Sequence, residues 1–265
     1  MAPGGGGDGV DPPQMVGSTS RGERAVYRGL SVIAVAPVLN EEHKIAEVIR
    51  RTPRPLVDEV LVVDDGSTDR SAEVARDLGA RVFSMGRVAG VGAALRAGYT
   101  EALEGGYDAV VVMAGNNKDA PEEIPLLLDP IADGRADFVQ GSRFLKRGAN
   151  FGHMPLYRRL ATRVHPLLFS LVTRHRVSES TNGFRAIHRR VLSDPGLDLF
   201  QPWLDEYELE PYLYIRAIQL GHRTVEVPVT KIYPPKSLGQ TKMKPFIGWW
   251  SMLRPLVYLG LGIKK

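Results

Sequence analysis

Short runs of apolar residues alternate along the chain with longer stretches in which apolar positions recur every three or four residues. The short runs predict strands buried on both faces, and the periodic stretches predict helices packed against them. Strands are predicted at 30–36, 59–63, 80–83, 110–113, 137–140 and 224–229. Helices are predicted through 45–49, up to 78, through 95–103, over 121–131 and over 205–220. This alternation predicts an α/β fold with a mainly parallel sheet and helices on both faces.

The strand predicted at 110–113 is followed by small, polar and charged residues, among them Gly115, Asn116 and Asp119. Gly-Asn-Asn is ordinary turn chemistry in any protein. In open α/β sheets, however, ligands bind outside the carboxyl ends of the strands. Polar segments also follow other predicted strands, at 37–42 and 64–69. The pattern therefore favours a ligand site at this edge of the sheet.

Glycine-rich phosphate-binding motifs do not account for such a site. The Gly-x-Gly at 90–92 lacks the third glycine of the dinucleotide fingerprint and does not follow the first predicted strand. The phosphate-loop pattern that ends in Gly-Lys-Ser/Thr is missing from the sequence.

Composition divides the chain into three parts. Residues 1–25 are rich in Gly, Pro, Ser and Asp, which predicts a disordered tail. Residues 26–243 are predicted to form one domain, and residues 244–265 form an apolar C-terminal segment. The chain contains no cysteine and its first residues lack the apolar run of a signal peptide, which favours a cytoplasmic location. The net charge of +4 suits a phosphate-bearing ligand or an anionic membrane surface. We expect no nucleic-acid partner.

The C-terminal segment 245–263 carries one charge, Arg254, and a proline beside it. Tryptophan and tyrosine side chains in this segment suit the headgroup region of a membrane. The pattern predicts a helix that lies in the interface on the inner face of the membrane, with the basic and apolar segment 158–174 beside it. The alternatives are a helix packed on the protein and a helix buried in a homo-oligomer.

Six segments taken together resemble the family-2 glycosyltransferases, most closely the dolichol-phosphate (polyprenol-phosphate) mannosyltransferase branch. They are Pro37–Glu42, Val62–Asp69, Gly90–Gly92, Gly141–Arg143, Thr181–Arg185 and Lys236–Lys242. The resemblance covers about residues 30–245 and implies a nucleotide-sugar-binding fold of the GT-A type. It also implies an inverting transfer of a sugar from a GDP- or UDP-sugar donor to a polyprenyl phosphate. The alternatives are a soluble hydroxyl acceptor, such as a secondary metabolite, and a nucleotide-sugar-binding protein without catalysis.

The resemblance also implies roles for individual residues. Those placed around the nucleotide-sugar are Pro37, Leu39, Glu41, Asp64, Asp65, Gly92, Gly115, Asn116, Lys118, Arg143, Lys236 and Lys242. Carboxylates at strand ends accept hydrogen bonds from base and ribose, and Arg and Lys side chains suit the diphosphate. A hydroxyl acceptor needs a general base, for which Glu179 and Glu210 are the candidates and Glu208 is a runner-up. Each of these glutamates could equally form an ion pair with Arg185 or Arg216.

The sequence departs from the family at the Asp-x-Asp motif that holds a divalent cation, where Ala114-Gly115-Asn116 stands instead. An amide oxygen can bind Mg²⁺ or Mn²⁺ but brings no charge, so weaker binding is expected. We expect a cation held mainly by the donor's phosphates, with Asn116 and Asp119 as supporting ligands. The alternative is that the ammonium group of Lys118 neutralises the diphosphate directly.

Overall fold

A computed structural model describes residues 27–145, 152–233, 243 and 247–264. The strands are β1 (Val32–Val38), β2 (Glu59–Asp64), β3 (Arg81–Ser84), β4 (Ala109–Val112), β5 (Phe138–Ser142), β6 (Arg185–His188) and β7 (Thr224–Pro228). The helices are α1 (Glu42–Arg51), α2 (Ser71–Asp77), α3 (Val91–Glu104), α4 (Ile124–Ala132), α5 (Leu156–Thr173), α6 (Arg189–Leu192), α7 (Leu209–Gln219) and α8 (Ile247–Gly260). The predicted tail at 1–25 lies outside the described residues.

The strands form one sheet in the order β3-β2-β1-β4-β6-β5-β7. Strand β4 is the middle strand, and all four of its residues are buried, as the apolar run predicted. Its side chains point alternately to two apolar clusters, because successive residues of a strand face opposite sides. Val110 and Val112 belong to the cluster beneath α3, α5, α7 and α8, whereas Ala109 and Val111 belong to the cluster beneath α1, α2 and α4. The expected α/β fold with helices on both faces is confirmed.

Strand β6 was not predicted, and it is the strand that departs from the parallel arrangement. It runs antiparallel to both β4 and β5, so that Arg185 lies opposite Val112 on one side and Gln140 on the other. The first residue of β6 therefore lies at the edge of the sheet where the other strands end. This brings the segment 181–184 to the same edge as the ends of β1, β2 and β4.

Helices α5 and α8 contact each other on one face of the sheet. Met252, Leu256 and Leu259 of α8 are buried, and α8 also contacts α7, so the C-terminal segment packs partly on the protein. Helix α7 begins at Leu209 rather than at the predicted residue 205. The residues just before it pack against the start of α3, where the backbone oxygen of Asp205 accepts a hydrogen bond from the N–H of Ala93.

Candidate active site

A cavity of about 460 Å³ lies at the carboxyl edge of the sheet. Its floor is formed by residues that follow β1, β2, β4, β5 and β7, and α5 and α8 contribute Arg158, Thr162, Trp249 and Met252 to its other side. The residues singled out from the sequence that line it are Pro37, Leu39, Glu41, Asp65, Gly115, Asn116, Lys118, Arg143 and Glu210. Lys236 and Lys242 lie outside the described residues. The tertiary structure thus gathers most of the expected donor-binding residues around one space.

The carboxylate of Asp65 is buried beside the cavity. Its Oδ1 atom accepts a hydrogen bond of 2.6 Å from the N–H of Ala89, and both of its oxygens lie within 3.2 Å of the N–H of Gly90. Gly90 has φ +105°, a conformation that favours glycine, and it immediately precedes α3. Asp65 therefore holds the loop before α3 in addition to facing the ligand space.

Asp64 and Gly92 contribute to the shape of the site without lining the cavity. The Oδ1 atom of Asp64 accepts a hydrogen bond from the N–H of Ser67, which is a turn interaction. A Cβ atom on Gly92 would lie 2.1 Å from the backbone oxygen of Leu204 and 2.4 Å from that of Glu206. Gly92 therefore permits the close approach of α3 to the segment 204–206, which forms part of the cavity wall.

A buried ion pair positions Arg143 at the cavity. Its Nε atom donates a 2.5 Å hydrogen bond to Oε2 of Glu179, and both side chains are almost completely buried. The other oxygen of Glu179 accepts hydrogen bonds from the backbone and the hydroxyl of Thr181. Both carboxylate oxygens of Glu179 therefore carry bonds. Glu179 therefore forms an ion pair, as the alternative from the sequence allowed, but its partner is Arg143 rather than Arg185 or Arg216. Its role as a general base stays a prediction.

The other two candidate bases differ in their access to the cavity. Glu210 lines it and forms an ion pair with Arg185 at 2.8 Å. Glu208 is fully buried and is paired with Arg254 of α8. Of the three glutamates considered from the sequence, Glu210 is thus the one at the cavity surface, and its role as a base stays a prediction.

Asp119 lies beneath the cavity in contact with a lysine that sequence analysis missed. Its Oδ1 atom accepts a 2.6 Å hydrogen bond from Nζ of Lys231, and its Oδ2 atom accepts one of 3.2 Å from the N–H of Ala114. Lys231 itself lines the cavity. The position of Lys231 just after the strand predicted at 224–229, at the carboxyl edge of the sheet, was the signal that could have identified it.

These contacts decide how well the loop after β4 fits a divalent cation. Ala114 offers a methyl group, both oxygens of Asp119 carry other bonds, and the Oδ1 atom of Asn116 accepts from the N–H of Lys118. Within the part of the chain that the structure describes, no cluster of three or more His, Cys, Asp or Glu residues is arranged to hold a metal. The donor set of this chain therefore does not fit the metal site that Asn116 and Asp119 were expected to form.

Cationic side chains surround the ring of Tyr233, which the sequence analysis also missed. The Nζ atom of Lys118 lies 5.2 Å from the ring centroid, and the guanidinium carbon of Arg158 lies 5.4 Å from it. The Nη1 atom of Arg143 donates a 2.9 Å hydrogen bond to the Tyr233 hydroxyl. Burial, followed by the charges of Lys231 and Arg158, lowers the pKa of Lys118 from 10.5 to about 8. The cavity is therefore suited to an anionic ligand.

Comparisons with known proteins agree with this geometry. A family model described as Glycosyl transferase family 2 matches residues 33–196. The chain is 33% identical over 219 residues to polyprenol monophosphomannose synthase of Mycolicibacterium smegmatis, a match that covers 80% of each chain. It is 30% identical to undecaprenyl-phosphate mannosyltransferase of Micrococcus luteus, over 81% of this chain and 88% of that protein.

Solved structures show the same fold. Glucosyl-3-phosphoglycerate synthase from Mycobacterium tuberculosis, in complex with Mn²⁺, UDP and glucosyl-3-phosphoglycerate, superposes with a TM-score of 0.65 at 24% identity. The superposition covers 96% of this chain and 87% of that protein. The fold is therefore of the GT-A type expected from the sequence.

Proposed function

The chain belongs to glycosyl transferase family 2, and we propose that it moves a sugar from a GDP- or UDP-sugar onto a polyprenyl phosphate at a membrane surface. The names of the two bacterial relatives support this acceptor class, because both refer to a polyprenol-linked product or acceptor. The observation that carries the proposal is the position of the cavity. It lies between the sheet edge, where the expected donor-binding residues meet, and the helix pair α5–α8.

Helix α5 exposes a continuous apolar stripe. The stripe consists of Leu156, Leu160, Val164, Leu167 and Leu171, all exposed and spaced by three or four residues. This spacing places them on one side of the helix, and we call them the α5 stripe. Trp250 and Val257 of α8 are also exposed. A contiguous apolar surface of this kind marks a site of interaction with a protein or a membrane.

The charges around the α5 stripe favour an anionic membrane over a protein partner. Neither α5 nor α8 contains an acidic residue, whereas Arg159 and Arg163 are exposed on α5 and Arg174 follows its last turn. Basic residues beside an apolar helix face suit a helix that lies in the headgroup region. Of the helices that the structure describes, none has the length and apolar character needed to cross a bilayer. The exposed apolar stripe and the arginines beside it lead us to propose peripheral binding to the cytoplasmic face.

A polyprenyl phosphate would meet the cavity from the side of α5 and α8, with its isoprenoid chain in the membrane and its phosphate near Arg158. An acceptor phosphate is already an anion, so the transfer needs no general base. This fits the engagement of both oxygens of Glu179 by Arg143 and Thr181. The side-chain oxygens of Asp119 and Asn116 carry other bonds, so the loop after β4 offers a poor set of ligands for a divalent cation.

One observation favours a second candidate function, transfer to a soluble hydroxyl acceptor. The carboxylate of Glu210 lines the cavity, where it could accept the proton of a hydroxyl group. Glu210 also pairs with Arg185, so it has a structural role whether the acceptor is a lipid phosphate or a hydroxyl group.

Radiolabelled GDP- and UDP-sugars offered to the protein with vesicles that contain a polyprenyl phosphate test the proposal. We expect label in the butanol-extractable lipid fraction, with Glu210→Gln retaining most of the activity because the acceptor needs no base. A labelled water-soluble product that is chromatographically distinct from the donor, formed when hydroxyl compounds are supplied, together with collapse of its formation in Glu210→Gln, would support the hydroxyl acceptor instead. Nucleotide-sugar binding without any product would identify a binding protein.

A further inference from the structure

Transfer from a nucleotide-sugar places new charge on the departing diphosphate. On the proposed function, an oxygen of the acceptor phosphate forms a bond to the anomeric carbon of the sugar. The bond between that carbon and the β-phosphate oxygen breaks at the same time, and its electron pair stays on the nucleoside diphosphate, which leaves with one additional negative charge. Positive groups placed where this charge develops lower the barrier to transfer.

Lys118 is placed for this task. It belongs to the loop after β4, lines the cavity, and its ammonium group lies over the ring of Tyr233. No described carboxylate comes within ion-pair distance of it, whereas Arg143 is paired with Glu179 and Lys231 with Asp119. Lys118 thus contributes positive charge that the neighbouring carboxylates do not offset at short range.

Two further cations surround the same space. The guanidinium of Arg158 lies on the Tyr233 ring, and Lys231 reaches the cavity from the end of β7. With Lys118, these cations come from three separate parts of the chain, namely the loop after β4, the start of α5 and the end of β7. These cations repel one another, so a bound diphosphate would relieve unfavourable interactions as well as form new ones.

We propose that Lys118, assisted by Arg158 and Lys231, neutralises the departing diphosphate in this chain, in place of the divalent cation that the Asp-x-Asp motif holds elsewhere in the family. The inference rests on the proposed function for its donor but is independent of the acceptor. Lys118 and Arg158 together carry two positive charges, the charge of one divalent ion. A lysine can serve as a point charge toward phosphate without further ligands. The oxygens that would bind a metal in this loop are engaged by Lys231 and by backbone N–H groups.

Calorimetric binding of UDP and GDP, with uridine and guanosine as the matched nucleosides, tests the inference without an acceptor. We expect the preferred diphosphate to bind with the same affinity in EDTA and in Mn²⁺ or Mg²⁺. Lys118→Met, which keeps the length of the side chain and removes its charge, should lower diphosphate affinity by about tenfold to a hundredfold, the usual range for a lost charged contact. It should leave nucleoside affinity unchanged, and Lys118→Arg should retain most of the diphosphate affinity.

Arg135→Ala is the control for a general change in net charge, because Arg135 is exposed at the opposite edge of the sheet and pairs with Asp133. The inference would be overturned if diphosphate binding required Mn²⁺ or Mg²⁺. It would also be overturned if Lys118→Met lowered diphosphate affinity no more than Arg135→Ala does. Failure to bind either diphosphate under any condition would overturn it together with the proposed function. Metal-independent diphosphate binding without any lipid product would support the role of Lys118 and refute the proposed acceptor. Lipid product formed only with added metal would support the proposed acceptor and overturn the role of Lys118.

Discussion

Replacing three leucines of the α5 stripe by serine is expected to detach the protein from anionic membranes. Leu160, Leu167 and Leu171 are 67%, 69% and 76% exposed, so they pack little against the protein itself. Their substitution should therefore leave the fold intact. The triple variant removes apolar surface from one side of α5 and keeps every arginine of the helix.

The size of the effect follows from the exposed fractions. Together the three residues present the equivalent of about two fully exposed leucine side chains. Burial of one such side chain contributes about 1.5–3 kcal/mol, so the triple variant loses about 3–6 kcal/mol of membrane affinity on full insertion. The lower value already corresponds to a drop of about a hundredfold in the partition coefficient.

Co-sedimentation with vesicles that contain anionic lipid measures this partition coefficient. Leu126→Ser is the matched control, because Leu126 is 42% exposed on α4, which covers the opposite face of the sheet. We expect the control to bind vesicles as the native protein does and the triple variant to stay in the supernatant with an unchanged Tm. Equal sedimentation of the triple variant and the native protein would show that the α5 stripe faces something other than the membrane.

Two further predictions concern the stability of the site. Asp65→Ala should abolish donor binding and also lower the free energy of unfolding by about 2–3 kcal/mol, because two backbone N–H groups before α3, one of them on Gly90, lose a charged acceptor. Denaturant unfolding measures this loss, and an unchanged midpoint would contradict the structural part of the role. Burial lowers the pKa of His165, which lies within hydrogen-bond distance of the backbone oxygen of Met252 in α8. The stability that neutral His165 contributes is therefore complete above its ordinary pKa of 6.5 and declines as the pH falls toward the lowered value, by up to about 1.4 kcal/mol per pH unit. His165→Gln should remove that part of the pH dependence of unfolding, and identical pH profiles for the two proteins would refute the assignment.

Local patterns in the sequence determined the class of fold and the position of the site. Apolar runs identify buried strands because each residue of β4 must face one of two apolar layers, and periodic stretches identify the helices that supply those layers. Polar residues that follow such runs must leave the core at the same edge of the sheet. For this reason Glu41, Asp65, Asn116 and Arg143 could be expected around one cavity from the sequence, and the structure brings them together there.

The direction of β6 could not be predicted in the same way. The segment Arg185–His188 is short, and its local pattern contains no information on whether it pairs parallel or antiparallel. That choice depends on the path of the chain between β5 and β6, which includes the whole of α5. The antiparallel pairing places Arg185 and the preceding residues at the cavity edge, where Arg185 meets Glu210.

Only the tertiary structure decided which charged groups are paired. Asp119 was expected to bind a metal because it follows β4, yet its partner is Lys231, 112 residues later in the chain. Glu179 was a candidate base for a hydroxyl acceptor, and the structure pairs it with Arg143 in the protein interior. A charge removed from water is stable only beside an opposite charge or a hydrogen-bond partner, and the identity of that partner depends on which distant segments the fold brings into contact. The sequence thus specified which groups reach the site, and the contact between the segment after β7 and the loop after β4 left Lys118 positioned for an anion.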